Sequence, residues 1–487
     1  MEAKRFEERP RAAVLRKRID PEAARAIPLH VLQRAVALPY AFDGERLRVV
    51  VADLADIYAI DELRLASAYP IDLELGTRAQ IEHELRLIAK QDAAAVAPSD
   101  APRAAPIDLV DELLAEADTD NASDIHLVPH DGGLLVRVRI DGVVRDLRTL
   151  EPAAAPGVLA RFKVLAKLDI AEHRKPQDGR FSFTLHGREL DMRVATLPSI
   201  EGEGAVIRML SSEPTAPTLT ELGLEKVMQM QLEDIVQKGQ GALLVTGPTG
   251  SGKSTTLHAV LADGARPDIN VITVEDPVEF RLPGTFQIQI NARHGVTFPS
   301  ALRSILRSDP DVIMIGEIRD VETAQIAVRA ALTGHFVLST LHTNDAPTAL
   351  SRLSEMGVEP FIVGSAITAV LAQRLLRRLC IDCREEYIVD AAQLIELGFP
   401  AETAADDTTL FRRRGCDLCN RGYRGRVGVF QLMVMDDELR RLTVAGASSE
   451  ELTRVSSEHG MGTLWNDGLA KVRAGLTSIE ELHRVIR

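Results

Sequence analysis

The sequence predicts an α/β protein whose main domain contains a parallel sheet, preceded by a smaller α+β module and a small N-terminal α/β domain. From residue 221 onward, short apolar runs alternate with helical segments, as expected of a parallel sheet covered on both faces. Residues 107–210 instead combine two helical segments with several alternating strands. A length of 487 residues exceeds what one hydrophobic core supports, so several domains are expected.

The composition is that of an ordinary globular protein, with 45% hydrophobic and 26% charged residues. Fifty-seven basic and 71 acidic residues give a net charge of −14, so no overall positive field attracts nucleic acid, and no specific nucleic-acid partner is expected. No run approaches eighteen apolar residues, and the first residues are highly charged. We therefore expect no membrane-spanning helix, no signal peptide and a cytoplasmic location.

Shifts in composition predict the domain boundaries. Residues 93–106 are rich in alanine, aspartate and proline, which is typical of a flexible linker. Within the α+β module, Asp141 and Gly142 predict a hairpin turn. The predicted divisions are an N-terminal domain at 1–92, the flexible linker at 93–106, the α+β module at 107–210, a hinge linker at 211–219, and the main domain at 220–487 with a cysteine-containing module at 380–424.

A phosphate-binding loop signature stands near the start of the main domain. An apolar run precedes it and a segment with helical spacing follows it, which is the setting that such a loop requires. Glycines let the backbone N–H groups face phosphate oxygens, and the lysine reaches the β- and γ-phosphates. The Ser254 hydroxyl completes the coordination of Mg²⁺. The predicted ATP-binding residues are Gly247, Pro248, Thr249, Gly250, Ser251, Gly252, Lys253, Ser254 and Thr255.

Four apolar runs of the main domain each lead into polar residues. Because ligands in open α/β sheets bind at the carboxyl ends of the strands, we expect these residues to meet at one edge of the sheet. The sequence does not give the order of the strands. The runs and their polar residues are 242–245 with the phosphate loop, 271–274 with Glu275 and Asp276, 312–315 with Glu317, and 336–341 with His342.

Carboxylates after two of these runs are candidates for the chemistry at a triphosphate. Glu317 follows the phosphate loop by about sixty residues, where a carboxylate holds Mg²⁺ through water or orients the attacking water. Glu275, Asp276 and Glu279 form a second acidic cluster. The spacing does not decide whether Glu275 or Glu317 is the general base.

Two histidines flank the fourth apolar run. His342, at the carboxyl tip of the strand, is placed to sense the γ-phosphate. His335 precedes the run and is either a second functional histidine or a structural residue.

Four cysteines form two C-x-x-C pairs separated by 32 residues. Four thiolates in this arrangement give the closed tetrahedral coordination of structural Zn²⁺, and a redox role would need only one pair. The arginines around the pairs, Arg374 among them, form either a local basic face for lipid head groups or membrane-protein loops, or a solvated surface. The predicted zinc ligands are Cys380, Cys383, Cys416 and Cys419.

Several motifs, in the same order along the chain, resemble the secretion and pilus traffic ATPases, in particular the type II secretion ATPases and the type IV pilus assembly ATPases. The resemblance covers roughly residue 107 to the C-terminus and includes the four-cysteine element, which is typical of the assembly members of the family. The segments that carry it are 248–255, 272–279, 302–311, 316–320 and 333–344 in the main domain, and 122–126 and 168–180 before it.

The resemblance implies a RecA-like motor domain after a PAS-like domain, assembled as a homo-hexamer that is peripheral on the cytoplasmic face of the inner membrane. It also implies two partners, namely the cytoplasmic domain of an inner-membrane secretion or pilus protein, bound through the N-terminal domain, and a polytopic inner-membrane platform protein. The implied site residues are an acidic box of Glu275, Asp276 and Glu279, a second nucleotide motif at Glu317, a histidine box of His335 and His342, and Arg193, Arg208, Arg303 and Arg307 near the nucleotide.

Together, these features predict an enzyme that hydrolyses ATP, with Mg²⁺, to power pseudopilus assembly in type II protein secretion. The alternatives are a type IV pilus assembly ATPase, a nucleotide-gated scaffold that does not hydrolyse ATP, and a nucleic-acid translocase, which the acidic net charge disfavours. The sequence does not decide between the secretion and the pilus system. The predicted catalytic residues are Glu317, Glu275, Asp276, Lys253, Arg193 and Arg208.

Overall fold

The computed structural model describes residues 19–44, 46–54, 56–78, 80–81, 84–85, 88, 106–185, 188–210, 217–264, 266 and 268–486. Most of the two predicted linkers, at 93–106 and 211–219, therefore lies outside the described residues. The chain divides into two compact units, a first unit of Met1–Ile140 with Val144–Met209 and a second unit of Asp141–Val143 with Leu210–Arg487. Among the described residues, no helix is both long and apolar enough to span a membrane.

The first unit begins with a three-stranded sheet and helices that pack against it. Its elements are α1 (Pro21–Ala24), α2 (Leu29–Ala35), β1 (Ala37–Asp43), β2 (Arg46–Val51), α3 (Ile57–Ala66) and β3 (Ile71–Leu75). The central strand β2 pairs antiparallel with β1 and parallel with β3. Leu47, Val49 and Val50 of β2 are fully buried in a core that the helices share. The apolar run at 46–51 thus forms the central strand of this sheet.

The rest of the first unit is a six-stranded sheet with two helices. Its elements are α4 (Pro106–Thr119), β4 (Ala122–His130), β5 (Gly133–Ile140), β6 (Val143–Leu150), α5 (Ala155–Leu165), β7 (Gln177–Leu185), β8 (Arg188–Ser199) and β9 (Gly202–Leu210). The strand order is β6-β5-β4-β9-β8-β7. Alternate residues of β5 are buried in the core, which is the pattern of a sheet with one covered face.

The predicted turn at Asp141 and Gly142 joins β5 to β6. Both residues have positive φ, +48° and +79°, the left-handed conformation that a tight hairpin requires and that Gly adopts without steric cost. The Asp-Gly pair therefore fixed the position of this turn.

The second unit contains seven strands in one sheet and a smaller two-stranded sheet. Its elements are α6 (Lys226–Lys238), β10 (Gly241–Thr246), α7 (Lys253–Gly264), β11 (Val271–Glu275), β12 (Phe286–Gln289), α8 (Phe298–Ile305), β13 (Val312–Ile315), α9 (Val321–Leu332), β14 (Phe336–Leu341), α10 (Ala346–Glu355), α11 (Pro360–Ala366), β15 (Ile367–Leu379), β16 (Glu385–Val389), α12 (Ala391–Glu396), β17 (Thr408–Arg412), β18 (Tyr423–Val434), α13 (Asp437–Val444), α14 (Ser449–Glu458), α15 (Leu464–Arg473) and α16 (Ile479–Val485). The order of the large sheet is β12-β11-β13-β14-β10-β15-β18.

The four predicted strands of the main domain are neighbours in this sheet. Strand β10 pairs parallel with β14, β14 with β13, and β13 with β11. Their carboxyl ends therefore meet at one edge, as the sequence predicted. The α/β class is confirmed, while the positions of β15 and β18 beside β10 were not predicted.

Both faces of the large sheet are covered. In β10, Ala242 and Leu244 belong to the core beneath α8, α9 and α10, whereas Leu243 and Val245 belong to the core beneath α6 and α7. Burying a side chain of this size contributes about 1.5–3 kcal/mol. Burial on both faces explains why these strands are continuous apolar runs rather than alternating ones.

The C-terminal part of the second unit surrounds the long antiparallel pair β15 and β18. The small sheet of β16 and β17 and the helix α12 lie in the chain between these two strands. A separate core joins residues of β15, β17 and β18 to residues of α15 and α16. The cysteines stand at the ends of the two long strands, because Cys380 follows Leu379 and Cys419 precedes Tyr423.

Candidate functional site

The phosphate loop connects the buried strand β10 to the helix α7. Gly247, Gly250 and Gly252 have φ of +152°, +78° and +85°. A Cβ atom on Gly247 would lie 2.5 Å from the backbone oxygen of Gln373, so only glycine fits there. The loop turns its backbone at the N-terminus of α7, where N–H groups and the helix dipole favour a bound anion.

Lys253, the first residue of α7, folds back over the loop. Its ammonium group donates to the backbone oxygens of Gly247 and Pro248, both at 3.0 Å. Burial lowers the pKa of Lys253, the nearby carboxylate of Glu317 opposes this shift, and the charge of Arg374 adds to it. The ammonium group thus lies inside the loop, with Glu317 as its nearby negative charge.

The loop fits the phosphates of ATP in two further respects. The Oγ atom of Ser251 is buried, and within the described part of the chain it has no hydrogen-bond partner. Ser254 lines a cavity beside the loop, in the position predicted for a ligand of Mg²⁺. The chain therefore offers an unpaired polar atom, a cation and a hydroxyl around one concave backbone segment.

A cavity of about 50 Å³ lies between α7 and the ends of β11 and β13. The acidic residues that the sequence singled out line it together with the first turns of the helix. Carboxylates, a hydroxyl and an imidazole converge on a space large enough for water. Its lining residues are Ser254, Leu257, His258, Glu275, Asp276, Pro277, Glu279, Met314, Gly316 and Glu317.

Glu275, the last residue of β11, is 3% exposed and is held on both carboxylate oxygens. Its Oε1 atom accepts from Thr273 at 2.6 Å and from Gln287 at 3.1 Å. Its Oε2 atom lies 3.0 Å from Nε2 of His258. Burial alone would raise the pKa of Glu275, but His258, Thr273 and Gln287 together outweigh it and lower the pKa. This carboxylate is therefore ionised and fixed in orientation.

Glu317 lies two residues beyond β13 and is more accessible than Glu275, with 16% of its side chain exposed. One oxygen pairs with the guanidinium of Arg319, and the other lies 3.4 Å from Nε2 of His342. The structure thus brings Glu317 and His342 together at the edge where the phosphate loop begins.

Two residues of β15 complete the surroundings of the loop and were not predicted as site residues. Gln373 is buried and accepts a hydrogen bond of 2.7 Å from Thr256 in α7. Arg374 donates to the backbone oxygen of Asn344 at 2.9 Å, and burial lowers its pKa against the opposing charge of Asp345. Arg374 is therefore close enough to the phosphate loop to act on the charge of Lys253.

His335 lies away from the loop, at the amino end of β14. Its Nδ1 atom is 3.0 Å from the backbone oxygen of Ala330. The six-residue strand β14 separates it from His342, a distance of about 20 Å in an extended strand. The structure brings only one member of the predicted histidine box to the site, and the role of His335 stays a prediction.

The predicted arginines of α8 also make contacts of their own. Arg303 pairs with Glu322 at the start of α9, and Arg307 donates to the backbone oxygen of Arg303 at 2.6 Å. Arg307 lies just before Asp309, whose backbone oxygen accepts from Asn270 at the amino end of β11. Their proximity to a nucleotide is therefore a prediction that rests on the resemblance.

Arg193 and Arg208 belong to the first unit. Arg193 lies in β8, opposite Arg180 of β7. Arg208, in β9, holds its Nε atom 2.9 Å from the buried carboxylate of Asp124, while 61% of its side chain is exposed. The predicted approach of both arginines to the nucleotide stays a prediction.

The four cysteines form the second candidate site. Their sulfur atoms all lie within 4.8 Å of one another. Three of the Sγ–Sγ distances are 3.6, 3.7 and 3.9 Å, and sulfurs 2.3 Å from a tetrahedral Zn²⁺ would be about 3.8 Å apart. The predicted ligands are thus brought together with the spacing of a zinc centre.

Backbone N–H groups around the cysteines favour the thiolate form of Cys419. Burial raises the pKa of Cys416 to about 11 and also raises that of Cys380. At Cys419 burial acts in the same direction, but N–H groups of Cys416 and Gly422 donate to its sulfur and lower its pKa. A divalent cation would supply the charge that keeps all four sulfurs ionised.

A single family model matches most of the chain. Residues 100–484 match the family model described as Type II/IV secretion system protein, and residues 8–95 match the MshEN domain. The chain is 44% identical over 471 residues to the type II secretion system protein E of Pseudomonas aeruginosa, covering 96% of this chain and 88% of that protein. It is 41% identical over 484 residues to the type IV pilus assembly ATPase PilB of Thermus thermophilus, covering 95% of this chain.

The chain spans only 54% of the length of the Thermus thermophilus protein. Among solved structures, the pilus retraction motor PilT with bound ADP is similar at a TM-score of 0.51 and 26% identity, covering 77% of this chain and 96% of that one. This likeness confirms the RecA-like α/β fold.

Proposed function

The chain belongs to the Type II/IV secretion system protein family, as the order of its motifs predicted, and we propose that it is a hexameric ATPase that powers pseudopilus assembly in type II protein secretion. The observation that carries the proposal is the cavity beside the phosphate loop, where Ser254, Glu275 and Glu317 converge. A relative named as a type IV pilus assembly ATPase and a similar structure with bound ADP support ATP as the substrate.

In this proposal the phosphate loop binds the triphosphate of ATP. Lys253 exchanges its two loop carbonyls for β- and γ-phosphate oxygens, which gains charge-assisted contacts. The Ser254 hydroxyl and, through water, the Glu317 carboxylate would hold Mg²⁺, which when bound would neutralise charge on the β- and γ-phosphates. The nearby Glu317 charge already stabilises the ammonium form of Lys253, which supports placing Glu317 on the phosphate side of the cavity.

We assign the attacking water to Glu275. Three side chains hold its carboxylate at the cavity wall, and a fixed carboxylate orients water and accepts its proton as the γ-phosphate is attacked in line. The two glutamates would then have different roles: Glu317 acts at the phosphates and Glu275 at the water. His342, next to Glu317, would respond to loss of the γ-phosphate.

Phosphate release by the purified oligomer tests this function. The wild-type chain should release phosphate continuously from Mg-ATP, and Glu317→Ala should lower kcat by at least about 10²-fold, the effect of removing one group that stabilises developing charge. Glu355→Ala, which removes an exposed glutamate in an ion pair on α10, should match the wild type. Equal rates for wild type and Glu317→Ala would favour the non-hydrolysing scaffold instead.

In this proposal, Arg193 and Arg208 would supply positive charge to the nucleotide, as the resemblance implies. Asp124 fixes the Nε side of the Arg208 guanidinium while most of the side chain is exposed, a geometry suited to meeting a phosphate. Loss of the phosphate would release this contact, which would couple hydrolysis to movement.

Arg208→Ala should therefore lower kcat by about 10³-fold, as for arginines that stabilise phosphoryl transfer. Nucleotide binding should change less, because Lys253 and the loop remain. Arg137→Ala removes an exposed arginine of the same sheet, paired with Asp146, and should have little effect. Turnover of Arg208→Ala within twofold of wild type would contradict the role.

Type IV pilus assembly is the second candidate function, because the PilB relative is 41% identical over nearly the whole chain. In both systems we expect the N-terminal domain to bind the cytoplasmic domain of an inner-membrane protein at the cytoplasmic face, and a polytopic platform protein to receive the motion. Co-purification from the native host, with the N-terminal domain deleted as control, would show whether secretion or pilus components accompany the chain.

A further inference from the structure

His258 is a buried histidine next to the nucleotide site that the mechanism above does not explain. It lies in α7, four residues after Ser254, and is 1% exposed. Its ring packs against Phe280, with ring centroids 5.2 Å apart, and it lines the cavity. A buried imidazole with two polar nitrogens requires a partner for each of them.

Both ring nitrogens of His258 face acceptors. Nδ1 lies 2.8 Å from the backbone oxygen of Ser254, and Nε2 lies 3.0 Å from Oε2 of Glu275. Because a carbonyl and an ionised carboxylate only accept, each nitrogen carries a proton toward its partner. The 3.0 Å separation of Nε2 and Oε2 places the ring in direct polar contact with the carboxylate of Glu275.

These contacts join two parts of the site through one side chain. One nitrogen is tied to the residue predicted to hold Mg²⁺, at the start of α7, and the other to the carboxylate at the end of β11. Thr273 and Gln287 hold the other oxygen of Glu275. His258 is therefore the contact that sets where Oε2, the oxygen on the helix side, points.

We propose that His258 is a positioning residue for ATP hydrolysis, which fixes the Glu275 carboxylate relative to Ser254 so that it orients the attacking water. The inference rests on the proposed function. His258 lies outside the phosphate loop and the acidic box, and its two contacts would keep Glu275 in a fixed position relative to helix α7.

Two amide variants of His258 distinguish a role in positioning Glu275 from a role in packing alone. In His258→Gln the side-chain nitrogen can occupy the place of Nε2 and keep the contact with Glu275. In His258→Asn the shorter side chain can reach only the place of Nδ1 and keep the contact with the Ser254 carbonyl. His459→Gln changes a histidine–carboxylate pair elsewhere in the same unit, with Asp436 at 2.6 Å, and serves as the control.

If His258 positions Glu275, kcat should fall by about 10- to 100-fold in His258→Asn, as for a misplaced catalytic group. The glutamine variant should stay within about threefold of wild type, with similar KM and melting temperatures for both. In a Glu275→Gln background the difference between the two variants should disappear, because they then act on an interaction already removed. The His459→Gln control should match the wild type.

Two results would overturn the inference. The first is an equal kcat in the glutamine and asparagine variants, whether both are active or both inactive, because the contact with Glu275 would then not affect turnover. The second is a difference between the two variants that persists in the Glu275→Gln background, because it could not then arise from the contact with Glu275. A wild type no faster than Glu317→Ala would remove the proposed function together with the inference, whereas an active wild type with equal variants removes the inference alone.

Discussion

Lys253→Ala should lower kcat/KM for ATP hydrolysis by at least about 10³-fold, because one side chain serves both the binding of the triphosphate and the stabilisation of charge in the transition state. A single preorganised donor at a developing charge is worth on the order of 10²- to 10³-fold in rate. The ammonium group also contributes to ground-state binding through charge-assisted contacts. Both contributions are lost together in this variant.

The contacts of Lys253 explain why no neighbouring residue replaces it. Its ammonium group lies between the backbone oxygens of Gly247 and Pro248, within the concave face of the loop. Arg374 is close enough to influence its pKa but is engaged with Asn344. Alanine would leave the loop without a side-chain cation to contact the β- and γ-phosphate oxygens.

The measurement is phosphate release together with the affinity for a fluorescent ATP analogue. Lys238→Ala is a matched control, since Lys238 is an exposed lysine at the end of α6, paired with Asp234. The melting temperature of Lys253→Ala should stay close to that of the wild type, because burial already disfavours the charged form of this lysine. Turnover within tenfold of wild type would show that the loop does not act on ATP as proposed.

The sequence predicted the nucleotide edge of the sheet because local patterns determine it. The run at 242–245 and the three other apolar runs are buried on both faces, which makes them recognisable, and polar residues follow each of them. Parallel strands direct their carboxyl ends to the same edge. The convergence of Lys253, Glu275, Glu317 and His342 could therefore be predicted without the strand order.

Gln373 and Arg374 could not be predicted as neighbours of the loop, because that depends on strand order. Strand β15 lies beside β10 in space but more than a hundred residues later in the chain. When the pairing of β15 with β10 is unknown, the arginines of β15 indicate only a basic or a solvated surface. The missing information was a long-range pairing, which no local pattern contains.

The histidines show one signal that was missed and one pair that the strand geometry separates. His258 follows Ser254 by four residues, a spacing that places both on one face of a helix, and this signal could have found it. The pair His335 and His342 spans the six residues of β14, so an extended strand already separates them. The resemblance to the family groups the two histidines in one motif, whereas in the structure they lie at opposite ends of β14.

Replacing one zinc ligand should have the largest effect on stability. We propose that Cys380, Cys383, Cys416 and Cys419 hold a structural Zn²⁺, as their mutual distances support. Structural zinc contributes about 10–16 kcal/mol of apparent binding free energy in small zinc-binding peptides. Cys380→Ser should abolish tight zinc binding and lower the melting temperature by at least about 5 °C, since 1 kcal/mol corresponds to about 2–4 °C in a domain of this size.

The position of the cysteines predicts a second consequence for the nucleotide site. Cys380 follows the last residue of β15, and Cys419 stands shortly before β18, so the metal would close the chain between two paired strands. Strand β15 also carries Gln373, which contacts α7 through Thr256. Loss of zinc should therefore also reduce ATP turnover, by a smaller factor than Lys253→Ala, through loosening of β15.

Elemental mass spectrometry and thermal unfolding check this prediction. The wild-type chain should retain one zinc per chain through dialysis against a weak chelator, and Cys380→Ser should retain none. Asp417→Ala, an exposed residue between the last two cysteines, should keep both the metal and the melting temperature. A wild-type protein that holds no zinc and has the same melting temperature as Cys380→Ser would contradict the prediction. The fold alone would then hold the four sulfurs together, because the pair of strands β15 and β18 would need no metal to stay joined.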